Sequence, residues 1–223
     1  MADSRITLFA GHYGSGKTNL AVNWAVDLKR RHSNVAIADL DIVNPYFRTK
    51  DGEKLLDAAG IRLISSGFAN SNVDAPSMPA AVMSLFDDKS IYGVIDVGGD
   101  DRGANAVGKY AKIFQTEESI SLLFVMNCYR PLTASVLDTV AVLREIEQAA
   151  RFKFTGLVNN SNLGAETTAQ TVADSLEYAD EVSETARLPI AFTAVKEGLA
   201  TELSDKTPDL FPIKIISKES WRI

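Results

Sequence analysis

Seven short apolar runs recur along the chain, at 6–10, 35–38, 61–64, 91–95, 121–126, 154–158 and 190–194, with room for a helix between most neighbours. They are near-continuous in apolar character rather than alternating, the pattern of strands covered on both faces. Between them lie stripes at helical spacing. Leu20, Ala21, Trp24 and Leu28 form one, and Val136, Leu137, Val140, Leu143 and Ile146 another. A third holds Ala169, Val172, Ala173, Leu176, Ala179 and Val182. Such stripes face a core. Strand–helix alternation from end to end predicts an α/β three-layer fold around a mostly parallel sheet of about seven strands. With 223 residues and no linker, repeat or low-complexity tract, residues 1–223 read as one domain. Ligands of such sheets bind at the carboxyl ends of the strands, so the chemical motifs are expected there.

The strongest motif follows the first run. Gly11-His12-Tyr13-Gly14-Ser15-Gly16-Lys17-Thr18 fits G-x-x-x-x-G-K-[ST] and opens the first amphipathic segment, the strand-before, helix-after setting that a phosphate loop requires. Glycines let successive backbone N–H groups turn toward phosphate oxygens, and the helix N-terminus favours an anion. Gly14, Ser15, Gly16, Lys17, Thr18 and Asn19 are therefore expected to bind nucleotide. Lys17 brings charge to the β- and γ-phosphates, and the Thr18 hydroxyl is placed to ligate Mg²⁺. The fold expectation sharpens to a P-loop NTPase.

Two further strand ends carry acids. The second run ends in Asp39-Leu40-Asp41, followed by a loop with Asn44, Pro45, Tyr46, Phe47 and Arg48. Side chains one residue apart on a strand alternate sides, so one acid can face a metal and the other an attacking water. The loop reads as a segment that senses the γ-phosphate. The fourth run ends in Asp96-Val97-Gly98-Gly99, an acid placed to hold Mg²⁺ before a glycine pair that can approach the γ-phosphate. The sixth run leads into Asn159-Asn160. An asparagine amide offers both donor and acceptor to an adenine edge, and Asn159, with Asn160 beside it, is the expected base reader.

Composition narrows the classes. The formal net charge is -6 with Lys and Arg scattered, against direct nucleic-acid binding, which draws on clustered cations. The one cysteine, Cys128, can form neither an internal disulfide nor a metal cage and reads as a strand-end thiol. No run approaches the ~20 residues that span a bilayer, and no signal peptide is visible. A cytoplasmic protein without a membrane anchor is expected.

Taken in order, Gly11–Thr18, Asp39-Leu40-Asp41, Asp96-Val97-Gly98-Gly99 and Asn159-Asn160 resemble the MinD/ParA-like P-loop ATPases, a group that includes the nitrogenase iron protein and the cobyrinate and dethiobiotin synthases. The resemblance runs over nearly the whole chain. It implies Mg-ATP binding and slow hydrolysis coupled to dimerisation or to a protein partner. By position, Asp41 would orient the attacking water, Asp96 would hold the metal with Thr18, and Asn159 would read adenine; of the paired acids, Asp39 is then left to face the metal. Many relatives carry a lysine at the second position of the loop. Here it is His12, so an ATP-sandwich homodimer would need another cation, with Arg48, Arg102 and Lys109 as candidates.

Two functional classes are expected from these residues, beside a non-catalytic nucleotide-binding module that only the missing second lysine supports. One is an ATP-driven switch or assembly factor for a protein partner. The other is an ATP-dependent small-molecule synthase or kinase, for which the 67–78 loop could line a substrate pocket, although an ordinary surface loop is the expected reading of that segment. The Asn-Lys-x-Asp sequence that reads guanine is missing at 159–162, which favours ATP over GTP.

Overall fold

All seven apolar runs become strands, and the carboxyl-terminal region adds an eighth. The computed structural model describes residues 4–40, 50–65, 80–99, 101–207 and 209–216. In chain order the elements are β1 (Ile6–Ala10), α1 (Lys17–Arg31), β2 (Val35–Leu40), α2 (Lys50–Ala58), β3 (Arg62–Ser65), α3 (Ala80–Asp87), β4 (Tyr92–Val97), α4 (Asp101–Gly108), α5 (Ala111–Thr116), β5 (Ile120–Met126), α6 (Val136–Ala150), β6 (Gly156–Asn159), α7 (Ala169–Ala173), α8 (Leu176–Ala186), β7 (Ile190–Lys196), α9 (Ala200–Leu203) and β8 (Leu210–Ile213). The sheet order is β3-β2-β4-β1-β5-β6-β7-β8, and every pairing is parallel.

The expected count of about seven strands is corrected to eight. β8 escaped notice because Pro212 interrupts it. Proline removes a ladder donor and survives in a strand only at an edge, and β8 is the edge strand beyond β7. The stripe expected in α6 packs on the core through Val136, Val140, Leu143 and Ile146, but Leu137 is corrected to an exposed position. The stripe expected as one helix from Ala169 to Val182 is split into α7 and α8, with the break at Asp174 and Ser175. Ser175 has no accessible surface there, and the break brings its hydroxyl to the end of β6, as described below.

The pleat sorts each strand between two apolar layers. Ile6, Leu8 and Ala10 of β1 pack with residues of α3, α4, α5, α6 and α8. Phe9 turns the other way, with Leu20, Ala21, Trp24 and Leu28 of α1. The same alternation holds in β2, where Ala36, Ala38 and Leu40 belong to the first layer and Val35 and Ile37 to the second. Burying a leucine of this kind contributes about 2 kcal/mol. Helix α1 is fixed firmly by Trp24, which stacks on Phe192 at 5.3 Å, meets Phe9 edge-on at 6.3 Å and donates its indole N–H to Thr7 Oγ1 at 3.2 Å. This anchorage sets where the N-terminus of α1 stands.

Candidate nucleotide site

The strand order reverses direction around β1, which lies between β4 and β5. The loop leaving β1 therefore opens into the crevice at the carboxyl edge, where open α/β sheets bind ligands. Gly16 is the N-cap of α1 and has φ 88°, a left-handed conformation that glycine adopts without a Cβ penalty. Lys17 is buried and its Nζ donates to His12 O at 3.1 Å, across the loop. The Ser15 hydroxyl is buried in the same loop with no hydrogen-bond partner among the described residues. A buried polar atom of this kind is costly unless a ligand completes it.

The two described acids arrive by register. Asp39 of β2 stands beside Asp96 of β4 in the parallel ladder, so both project to the same face. Their neighbours identify that face. Ile37 and Val94, two residues back on each strand, lie in the α1 layer. Both carboxylates are therefore directed to the side from which α1 begins, and both are buried. Thr18, in the first turn of α1, donates its hydroxyl to Asp96 Oδ2 at 2.6 Å. That bond leaves the Thr18 oxygen lone pairs available to a cation. Thr18, Asp39 and Asp96 thus bring side-chain oxygens to one side of the sheet, the donor type that Mg²⁺ takes. No cluster of three or more His, Cys, Asp or Glu stands together among the described residues.

Gly99, in the turn after β4, packs on the phosphate loop. A Cβ there would lie 2.7 Å from Tyr13 N and 2.8 Å from Lys17 Nζ. The Asp96-Val97-Gly98-Gly99 segment thus touches the loop at two places, through a carboxylate and through glycine backbone.

The two asparagines separate. Val158 lies in the α1 layer and Leu157 in the opposite one, so Asn159 falls on the α8 side. Its Nδ2 donates to Ser175 Oγ at 3.0 Å, and its Oδ1 accepts from Ser161 N at 3.1 Å. Asn160 returns to the α1 side, where its Nδ2 donates to Ser15 O at 2.6 Å. A Cβ added to Gly16 would collide with that Asn160 amide. Asn19 also departs from expectation in its side chain, whose Nδ2 donates to Lys214 O at 3.1 Å and whose Oδ1 accepts from Ile216 N at 2.8 Å. Its backbone N–H remains among the first-turn donors that α-helices leave unpaired.

Asp41, Arg48 and the 67–78 loop lie outside the described residues, as does the side chain of Arg102. Lys109 stands away from the chain's own phosphate loop. It follows Gly108, which packs against Ala149 and Ala150 at the far end of α6, the opposite edge of the sheet. Sequence reading also passed over Asn127 and Arg130. Asn127 is fully buried at the end of β5; its Oδ1 accepts from Tyr129 N and Asn162 N, tying the loops after β5 and β6 together. Arg130 donates from Nε to Gly14 O at 3.0 Å. Their position directly after an apolar run was the signal available. Cys128 is half-buried, and burial pushes its thiol above the ordinary value, in keeping with an unreactive strand-end thiol.

No family model and no curated protein sequence matches this chain. Solved structures do. FtsY from Mycoplasma mycoides superposes with a TM-score of 0.59 at 18% identity, over 87% of this chain and 62% of that one. The cell division protein FtsY of Thermotoga maritima gives 0.57 at 16%, over 86% and 62%. The signal recognition particle receptor FtsY of Elizabethkingia anophelis, solved in complex with GDP, gives 0.57 at 14%, over 87% and 58%. The fold is that of the P-loop NTPases. The chain spans less than two thirds of the length of each of these structures, and at such identities the likeness concerns the fold. No helix among the described residues is long and apolar enough to cross a membrane.

Proposed function

We propose that this chain binds a magnesium nucleoside triphosphate, ATP by preference, and hydrolyses it slowly as a switch for a protein partner or a second copy of itself, in the manner of the MinD/ParA-like ATPases. The observation that carries the reading is the Thr18–Asp96 bond, which sets the first turn of the phosphate-loop helix against an acid at a neighbouring strand end. In this reading Lys17 neutralises the phosphates, and the orphaned Ser15 hydroxyl and the first-turn N–H groups receive phosphate oxygens. Thr18, Asp39 and Asp96 hold Mg²⁺, which would bridge and neutralise the β- and γ-oxygens. Asp41 orients water. Asn160 props the loop from its side through Ser15 O, while the amide of Asn159 is engaged with Ser175 and Ser161; of the two, Asn160 is the one that touches the phosphate loop.

A partner role is supported by exposed apolar side chains. Tyr13, Leu132, Leu137 and Leu163 are exposed and lie in or just after the segments that follow β1, β5 and β6, all at the nucleotide edge. A nucleotide bound at that edge would lie beside this surface. The synthase reading gains nothing from the described residues.

The test is titration of ATP, GTP and ADP with Mg²⁺, followed by hydrolysis rates and molar mass by light scattering with and without nucleotide. ATP binding with slow turnover, and a mass or partner affinity that depends on nucleotide, is the expected result. Failure of every nucleotide to bind would remove the reading. Asp41→Ala is expected to keep binding and lose hydrolysis; equal loss of both would move Asp41 to the metal.

A further inference from the structure

We propose that Arg130 is a phosphate-binding cation of this site, acting beside Lys17 on the phosphate chain of a nucleotide held in its own loop. This inference rests on the nucleotide reading above and adds a residue to it.

Arg130 directly follows the Asn127–Tyr129 turn after β5, and β5 is the strand next to β1. Its backbone is held at both ends. Arg130 N donates to Asn127 O at 3.1 Å, and Arg130 O accepts from Thr133 N at 3.0 Å. Pro131 follows, which keeps the preceding residue extended, and Arg130 has φ -109° and ψ 137°. A fixed backbone sends the side chain over the phosphate loop, where Nε donates to Gly14 O at 3.0 Å. A Cβ built on Gly14 would meet Arg130 alone within 4 Å, at 3.7 Å from Nε. The guanidinium therefore covers the middle of the loop.

A guanidinium has five donors in a rigid fork. One is used on Gly14. The four N–H bonds of Nη1 and Nη2 have no partner among the described residues, and no carboxylate there pairs with the charge. A cation held at the loop rim with its terminal donors open is arranged to receive an anion. The planar fork matches two phosphate oxygens at once. The charge is needed: one lysine and one Mg²⁺ leave a bound triphosphate net negative. His12, in the same loop, turns its Nδ1 to Tyr13 O.

Two substitutions separate the charge from the prop. In Arg130→Gln the amide nitrogen falls at the position of Nε, so the bond to Gly14 O can persist while the charge and the fork are lost. In Arg130→Lys the charge persists and the Nε donor is lost. Affinities for ATP, ADP and adenosine would be measured at two ionic strengths, together with kcat and KM for hydrolysis. Arg130→Gln is expected to weaken the triphosphate at least tenfold, as loss of a charge-assisted bond does. It should affect the diphosphate less, leave the thermal midpoint of the ligand-free protein unchanged and flatten the salt dependence of ATP binding, while Arg130→Lys recovers part of the affinity. Wild-type affinities and rates in Arg130→Gln would overturn the proposal. So would an equal loss for ATP and ADP that Arg130→Lys does not relieve, because Arg130 would then only brace the loop. A wild-type protein that binds no nucleotide would instead remove the site reading itself.

Discussion

The Thr18 hydroxyl reaches Asp96 Oδ2 at 2.6 Å across 78 positions of sequence. It joins the helix that follows β1 to the end of β4, and it depends on the parallel β1–β4 pairing, in which Phe9 stands beside Asp96. Asp96→Asn keeps the shape but turns an anionic acceptor into an amide. We expect this variant to retain measurable nucleotide binding in the absence of Mg²⁺ and to lose Mg²⁺-dependent hydrolysis by about a hundredfold or more, as loss of one preorganised charge in a reacting site does. Steady-state rates over a Mg²⁺ titration check it; an unchanged rate at saturating metal would remove Asp96 from the metal site.

Lys17→Ala is expected to abolish nucleotide binding at micromolar concentrations while leaving the protein folded. Lys17 is the first residue of α1, and its Nζ reaches a carbonyl of its own loop, His12 O. Binding by fluorescent nucleotide with circular dichroism as the folding control decides the matter. Normal ATP affinity in this variant would sink the phosphate-loop assignment.

Asn159 and Asn160 should behave differently although they are neighbours. Asn160→Ala removes the donor to Ser15 O and should weaken nucleotide binding with little thermal change. Asn159→Ala leaves the Ser175 hydroxyl and the Ser161 N–H without their amide partner inside the protein. It should cost about 1–3 kcal/mol of stability and leave affinity nearly untouched. Parallel denaturant melts and nucleotide titrations of the two variants test this; a reversed pattern would exchange their roles.

Glu147 sets a pH dependence remote from the nucleotide. It is buried on α6 and accepts from Lys153 Nζ at 2.6 Å, Arg144 Nη1 at 2.7 Å and Phe154 N at 3.0 Å. Burial alone would raise its carboxyl, but these donors hold it below the ordinary value of 4.5. A carboxylate with a depressed folded-state pKa stabilises the fold above its unfolded value, and that stability is lost as pH falls through the folded one. Glu147→Gln should therefore lower the melting temperature near neutrality, and the difference from wild type should shrink as pH drops below 4.5. A gap that stays constant down to acid pH would assign the effect to packing.

Much of this was legible in the residues. Continuous apolar runs separated by 3.6-period stripes specify buried parallel strands and covering helices, because the periodicity of burial is a property of the local chain. The phosphate loop is legible for the same reason: its glycines, Lys17 and Thr18 are consecutive, and their work is done by local backbone geometry. Strand β8 was hidden because Pro212 is tolerable only at an edge, and being an edge is a fact about neighbours.

What only the tertiary structure decided is which side chains meet. The sequence placed Asn159 and Asn160 together at a strand end, but the two-residue pleat gives one to Ser175 and the other to Ser15, and it takes the packed layers to show which face is which. Arg130 looked like one cation among many until β5 was set beside β1, and Lys109 was carried to the far edge by the direction of α4. Local pattern determines the elements, because propensity and burial period act within a few residues. Partner choice across the site is decided by register and layer, which exist only once the whole sheet has formed.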